Sequence, residues 1–344
     1  MLKKPNPGSV TCWLFVCCGM IFVMALLGAI TRLTGSGLSM TSWDPIMGII
    51  PPLNDEAWRK AFSGYQAIPQ YQVLNRGMSL EAFKGIFFWE WFHRFWGRLT
   101  GLVFGVPLVV FLWRRQINKN TGMKFALIFA LGGLQGFIGW FMVQSGLEVR
   151  TSVSPYRLAL HLGFALAIYA VLLWAALSGM RHEPTRRAPP DLRRHGWVAL
   201  GFLATTMVWG AFVAGLHAGE MYNTWPLMEG GIMPEAATTL LPAWHNAFEN
   251  SAMVQFIHRW IGPVTMLVLL GWIGRCWRRV DAARRPGLAA LGVMAVVQVC
   301  LGIGTLLSHA EIAIAVVHQA GAITLLSLLL FNLQRLCEKT TEDK

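Results

Sequence analysis

Eight stretches of this chain, at approximately 11–31, 88–112, 123–145, 157–180, 196–216, 251–274, 287–307 and 312–334, are each apolar over enough residues to cross a hydrocarbon core about 30 Å thick. In lipid, backbone N–H and C=O groups must find partners within the segment, so runs of this length are expected as spanning α-helices. Composition agrees. Of 344 residues, 55% are hydrophobic and 13% charged, with a mean hydropathy of +0.48, which is too apolar for an ordinary soluble domain. The expected fold class is an all-α integral membrane protein with eight transmembrane helices in a lipid bilayer.

Lysine and arginine sort the connections by side. One set holds Lys3 and Lys4; Arg114, Arg115, Lys119 and Lys124; Arg181, Arg186, Arg187, Arg193 and Arg194; Arg275, Arg278, Arg279, Arg284 and Arg285; and Arg335, Lys339 and Lys344. That side is expected to be cytoplasmic, with both termini on it. The net charge of +12 is then a product of topology, and no nucleic-acid partner is implied. The connections 32–87 and 217–250 fall outside and are long enough to fold over the outer face as lids. The first apolar run continues to about Ile30 without a small-x-small cleavage site and reads as a helix, not a signal peptide. The six cysteines, Cys12, Cys17, Cys18, Cys276, Cys300 and Cys337, lie in or at the cytoplasmic ends of apolar segments, so no outer disulfide framework is expected.

The chain also repeats itself. Trp-Glu-Trp-Phe-His-Arg at 89–94 is answered by Gln-Phe-Ile-His-Arg at 255–259, and each copy has a further histidine in a later segment, His161 and His318. Gly28-Ala29 pairs with Gly210-Ala211, Gly37 with Gly219, and Trp43 with Trp225. Gly97 and Thr100 pair with Gly262 and Thr265, Gln135 with Gln298, Gly139 with Gly302, Ser145 with Ser308, and Glu148 with Glu311. Four helices per copy is an even number, so both copies have one membrane orientation. The expected architecture is two tandem four-helix bundles related by a pseudo-twofold axis along the membrane normal, at 1–180 and 196–344 with a cytoplasmic linker at 181–195.

His93, His161, His258 and His318 are all expected at shallow depth on the outer side. A single histidine of this kind is readily satisfied by polar neighbours. Four at matching repeat positions, two per bundle, point to heme iron held between imidazoles, with Gly97, Gly163, Gly262 and Gly321 letting a flat macrocycle approach the backbone. His182, His195, His217, His245 and His309 lie in or beside loops and are given no role. Arg94 and Arg259 follow the first histidine of each pair, where a guanidinium fork suits a propionate, although a snorkelling interfacial arginine reads equally well. Trp89, Trp91 and Trp96 read as interface-belt aromatics. Three residues before the histidine, on the same helical face, one copy has Glu90 and the other Gln255. A carboxylate there either bonds within the bundle or takes part in acid–base chemistry at the first site.

Phe-Trp-Glu-Trp-Phe-His-Arg at 88–94, Gln-Gly-Phe-Ile-Gly-Trp-Phe-Met-Val-Gln-Ser-Gly-Leu at 135–147 and His-Asn-Ala-Phe-Glu-Asn-Ser-Ala-Met-Val-Gln-Phe-Ile-His-Arg at 245–259 closely resemble the heme A synthase family, in its proteobacterial and mitochondrial branch. The resemblance covers nearly the whole chain. The other branch carries a cysteine pair in the first outer loop, which this sequence lacks. The resemblance implies an oxidoreductase that converts the C8 methyl of heme O to a formyl group by successive hydroxylations, through a gem-diol that loses water, giving heme A for terminal oxidases. It implies a heme B cofactor whose iron is ligated by His258 and His318, with Arg259 beside it. It places substrate heme O, its iron between His93 and His161 and with Arg94 nearby, so that Glu90 is near the reacting methyl. By the same analogy a heme O synthase, oxidase assembly factors and an electron donor are expected partners; a homo-oligomer is left open. A bacterial inner membrane is preferred to the mitochondrial inner membrane as location. Two other readings use the same histidines: a di-heme electron carrier acting with quinol, and a heme export or assembly factor. Glu90 against Gln255 separates them, because a symmetric carrier has no evident need of the difference.

Topology reporters fused within 113–122, 181–195 or 275–286 should read cytoplasmic, and fusions within 45–80 or 225–245 external. A cytoplasmic signal from 45–80 would put the histidines on the opposite side of the membrane.

Overall fold

The computed structural model describes residues 7–42, 47–148, 150–180 and 189–337. Lys3, Lys4, Trp43, Asp44, Arg181, His182, Arg186, Arg187, Lys339 and Lys344 lie outside these. Eight long helices carry the chain: α1 (Pro7–Leu33), α2 (Leu80–Trp113), α3 (Lys119–Leu147), α4 (Pro155–Ser178), α5 (Pro190–Gly215), α6 (Ser251–Trp277), α7 (Arg285–Leu307) and α8 (Ile312–Cys337). Each contains a window apolar enough to span a membrane, as the sequence predicts. Their flanks expose large aliphatic side chains such as Leu102, Val106 and Val109, a cost in water and none against lipid.

The starts are set locally. Asn118 Oδ1 accepts from Thr121 N at 2.8 Å and Asn250 Oδ1 from Ala252 N at 3.0 Å, while Pro155 and Pro190 open their helices where a missing N–H costs nothing. One boundary differs from expectation. α2 begins at Leu80, eight residues before the apolar stretch, capped by Ser79 Oγ accepting from Ala82 N at 3.2 Å. The extra two turns are amphipathic, and they bury Phe83 and Phe87 in a cluster with Leu38, Met40, Tyr65 and Ile68.

The chain divides into two compact units, one built on Val16–Ile168 and one on the chain from Tyr169 together with the start of α1. In the first, Trp96 Nε1 donates to Met20 O at 3.0 Å and Thr31 Oγ1 to Trp89 O at 3.3 Å, joining α1 to α2. Phe104 of α2 stacks on Phe129 of α3 with centroids 5.9 Å apart. In the second unit α5 packs on α6 and α8, and α7 on the same two helices. Thr206 and Thr265 bond at 2.7 Å between α5 and α6, and Asn332 Nδ2 donates to Gly287 O at 2.9 Å between α8 and α7, polar links suited to helices that gain little from burying apolar surface against one another in lipid.

The long connections are structured. Helices Asp55–Gln66 and Pro69–Val73 carry Tyr65, whose hydroxyl donates to Gln70 Oε1 at 3.0 Å and accepts from Asn75 Nδ2 at 2.6 Å; Gln70 Nε2 donates on to Gly35 O at 3.1 Å. Burial raises the Tyr65 phenol above its usual range, against a lowering by the Asn75 bond. In the second unit, Asn246 ties its side chain to both the N–H and C=O of Leu240, and Asn250 Nδ2 donates to Ala236 O at 2.7 Å.

Tyr65→Phe removes a buried hydroxyl that serves two amides, and should cost about 1–3 kcal/mol of local stability. The expected result is faster proteolysis within 55–78 in detergent-purified protein; an unchanged cleavage rate would mean that the network does not hold this segment.

Candidate functional site

The four histidines share one local geometry. A Cβ added to Gly28 on α1 would lie 3.3 Å from His93 Nε2 on α2, and one on Gly139 of α3 would lie 2.9 Å from His161 Cε1 on α4. In the second unit a Cβ on Gly210 of α5 would stand 3.1 Å from His258 Cε1 on α6, and one on Gly302 of α7 would stand 3.0 Å from His318 Cε1 on α8. Each imidazole therefore rests against a neighbouring helix backbone that only glycine leaves bare. They are a different set from Gly97, Gly163, Gly262 and Gly321, which the sequence offers for the approach of a macrocycle and not of an imidazole. A Cβ on Gly163 or Gly262 would meet nothing within 4 Å, on Gly97 it would meet Met24, and on Gly321 it would meet Gln298. The signal was available in the repeat, since Gly28 pairs with Gly210 and Gly139 with Gly302, but spacing alone does not show that these positions face a ring on another helix.

A glutamine stands behind the second histidine of each pair. Gln135 Nε2 donates to His161 O at 2.9 Å and lies 3.0 Å from His161 Nδ1; Gln298 Nε2 donates to His318 O at 2.9 Å and lies 3.1 Å from His318 Nδ1. These contacts hold both rings against the neighbouring helix, and because an amide nitrogen only donates, Nδ1 is the acceptor in this arrangement. His93 is near enough to His161, and His258 to His318, for the imidazoles to interact electrostatically. All four remain partly accessible. Among the described residues no three His, Cys, Asp or Glu converge on a metal position. Paired imidazoles suit an iron whose other ligands come from a macrocycle, and Gln135 Oε1 and Gln298 Oε1 are buried without a partner among the described residues. The residues present fit heme.

Glu90 and Arg94 do not stand free. Glu90 Oε2 accepts from Ser39 Oγ and Met40 N, both at 2.8 Å, and Oε1 pairs with Arg94 Nη2 at 2.5 Å. Arg94 also donates to Met40 O at 3.0 Å and Ser42 O at 3.1 Å. The pair is buried and clamps the segment after α1 onto α2. Gln255 and Arg259 make the same clamp with reversed polarity. Gln255 Nε2 donates to Ala218 O at 2.8 Å and Met221 O at 2.5 Å, while Arg259 donates to Tyr222 O at 2.8 Å and Leu227 O at 3.0 Å. The glutamate thus stands where the loop offers donors and the glutamine where it offers carbonyls. Both guanidinium groups spend donors on loop carbonyls, a use that neither the propionate nor the snorkelling reading of the sequence includes.

The other described histidines lie outside the two pairs: His217 is 3.3 Å from Glu220, His245 is 3.5 Å from Glu249, and His195 is 3.3 Å from Arg275. His309 is in a turn with φ +55°. Trp91 Nε1 donates to Ile49 O at 3.0 Å, so this tryptophan holds the loop.

Residues 11–330 match the family described as cytochrome oxidase assembly protein. The chain is 54% identical to the heme A synthase of Rhodospirillum centenum over 332 residues, covering 96% of this chain and 89% of that protein. It is 47% identical to the heme A synthase of Granulibacter bethesdensis (97% and 89% covered) and 41% identical to that of Parvibaculum lavamentivorans (97% and 96% covered). The chain belongs to the heme A synthase family. The shared span includes both histidine pairs, both glycine seats per unit and both clamps.

Glu90→Gln leaves Arg94 buried without its counter-charge. Removing one partner of a buried pair costs about 3–5 kcal/mol, so this variant should unfold at lower temperature than wild type, and Glu90→Gln/Arg94→Met should recover part of the loss. Near-UV circular dichroism of the purified proteins measures this; equal melting of wild type and Glu90→Gln would show that the ion pair does not hold the segment.

Proposed function

We propose that this protein is a heme A synthase of a bacterial inner membrane, with both termini cytoplasmic, which oxidises the C8 methyl of heme O to the formyl group of heme A. The observation that carries the reading is the cradle of two glycine-seated histidines, present once per unit and bearing a carboxylate in only one of them. The second cradle, with His258 and His318 as iron ligands and Gln298 orienting His318, holds heme B. Bound there, heme B supplies a one-electron redox centre. The first cradle takes heme O between His93 and His161, with Gln135 fixing the His161 ring.

In this reading Glu90 has two tasks. Its bonds to Ser39, Met40 and Arg94 fix the 39–42 segment one turn from His93. Its carboxylate is also the acid–base group nearest the first cradle on the His93 helix, able to hold or move a proton as the methyl is oxidised. Arg94 and Arg259 place a positive charge beside each cradle. Gln255 performs the clamping task alone, in keeping with a unit that retains a cofactor and transforms nothing. A symmetric di-heme carrier leaves the difference between Glu90 and Gln255 without a purpose.

Purified protein supplied with heme O, a reductant and oxygen should yield heme A by mass spectrometry of the extracted hemes; heme O bound at full occupancy and recovered unchanged would refute the activity. The isolated protein should show a six-coordinate low-spin b-type spectrum that His258→Ala or His318→Ala abolishes or alters. If both variants kept the wild-type spectrum and heme content, heme B would have to lie elsewhere.

A further inference from the structure

The two units diverge at a second place that the oxidation chemistry leaves unexplained. Arg157 precedes His161 by four residues on α4, so it lies on the same helical face one turn, about 6 Å, nearer the start of the helix. Its guanidinium carbon sits 3.7 Å from the centroid of the Phe141 ring on α3, and its Nη1 donates to Phe141 O at 2.6 Å. Nη2 and Nε have no protein partner among the described residues. Phe141 follows Gly139, the seat of His161, by two residues. Arg157 thus lies in the α3–α4 seam one turn before His161 on α4, with the Phe141 ring on a different face of α3 from Gly139.

At the matching positions of the second unit the pair is gone. The repeat that aligns Gly139 with Gly302 and His161 with His318 aligns Phe141 with Gly304 and Arg157 with Ile314. Ile314 fills the same seam, its Cγ2 standing 3.8 Å from a Cβ built on Gly304. An aromatic ring with a cation on it has been exchanged, as a pair, for a glycine with an aliphatic side chain. Seam packing alone does not require the charge, because the second unit packs the same seam without it. Ring stacking and one carbonyl bond hold the guanidinium in place and leave the other edge of its fork available for a carboxylate, a geometry that lysine could not reproduce.

We propose that Arg157, positioned by Phe141, binds a propionate carboxylate of the heme that enters the first unit, and that the second unit has no counterpart of this contact. The proposal rests on the first cradle being the substrate site. A heme bound at His161 with its acid groups toward the start of α4 would have Arg157 as the cation one helical turn away on the same helix. Arg94, whose donors serve Glu90 and the loop, is committed elsewhere. A substrate heme gains affinity from a charge-assisted hydrogen bond of this kind, which is stronger than a neutral one.

The test is titration of full-length protein, its second site loaded, with heme O and separately with the heme O dimethyl ester, followed by absorbance. Wild type, Arg157→Met, Arg157→Lys and His161→Ala are compared. Arg157→Met should weaken heme O by about 10–100-fold, the scale of one charge-assisted hydrogen bond, while leaving the ester at wild-type affinity, and Arg157→Lys should recover part of the loss. His161→Ala should weaken both forms. If Arg157→Met binds heme O like wild type while His161→Ala does not, the carboxylate contact is refuted and the substrate site stands. Equal weakening of diacid and ester in Arg157→Met would make the arginine a bracket between α3 and α4 and refute the contact as well. Wild-type binding of both forms by His161→Ala would overturn the substrate site and the proposal with it.

Discussion

Each of the four imidazoles lies against a glycine of the adjacent helix, and the surrounding structure of each unit follows from that approach. Between helices in lipid there is little hydrophobic gain from association, so close packing and polar links decide which faces meet. A glycine opposite a histidine lets two backbones close on a ring, and the ring then occupies a defined position instead of a range of rotamers. Gln135 and Gln298 complete the arrangement by tying the ring and its own carbonyl to the helix that carries the glycine. A ligand-binding imidazole needs this support, because a ring free to turn about its Cα–Cβ bond presents its nitrogen only part of the time.

The clamps on the neighbouring turn show how a duplicated architecture can keep a function and change its chemistry. Glu90 with Arg94 and Gln255 with Arg259 both secure the segment that follows the first helix of their unit. What differs is the direction of the hydrogen bonds: the first loop turns Met40 N and Ser39 Oγ inward, the second turns carbonyls inward. A carboxylate can only accept and an amide nitrogen can only donate, so each residue presents to its loop the group that the loop's inward-facing atoms can bond. Bringing a negative charge into the first unit required a compensating charge, and Arg94, whose counterpart Arg259 donates to loop carbonyls, supplies it.

The exchange of Phe141 and Arg157 for Gly304 and Ile314 follows the same logic at the other histidine. Both exchanges lie within one helical turn of a cradle, both add charge to the first unit, and neither alters the glycine seats or the glutamines. The common parts are those that hold an imidazole in place. The divergent parts are charged and can act on whatever the imidazole holds.

The spanning helices were legible in the sequence because the bilayer imposes a length and a polarity on every crossing, and Leu102 or Val106 declares that environment without reference to any neighbour. The histidine pairs were legible because duplication wrote them twice. The start of α2 was not: Leu80 to Phe87 is no longer apolar enough to read as a crossing, and it is helical because Phe83 and Phe87 find Tyr65 and Leu38, more than ten residues away in the chain. The glycines that seat the rings could be paired by the repeat but not matched to their histidines, since that pairing is made across helices and leaves no periodicity along one. Glu90 announced itself as an unusual charge, yet its partners Ser39 and Met40 lie fifty residues earlier in a segment with no motif. Sequence alone thus determined how often the chain crosses and which side chains could bind iron. Tertiary structure decided what stands behind each of them, because hydrogen bonds and ring contacts depend on distances that folding, not spacing, sets.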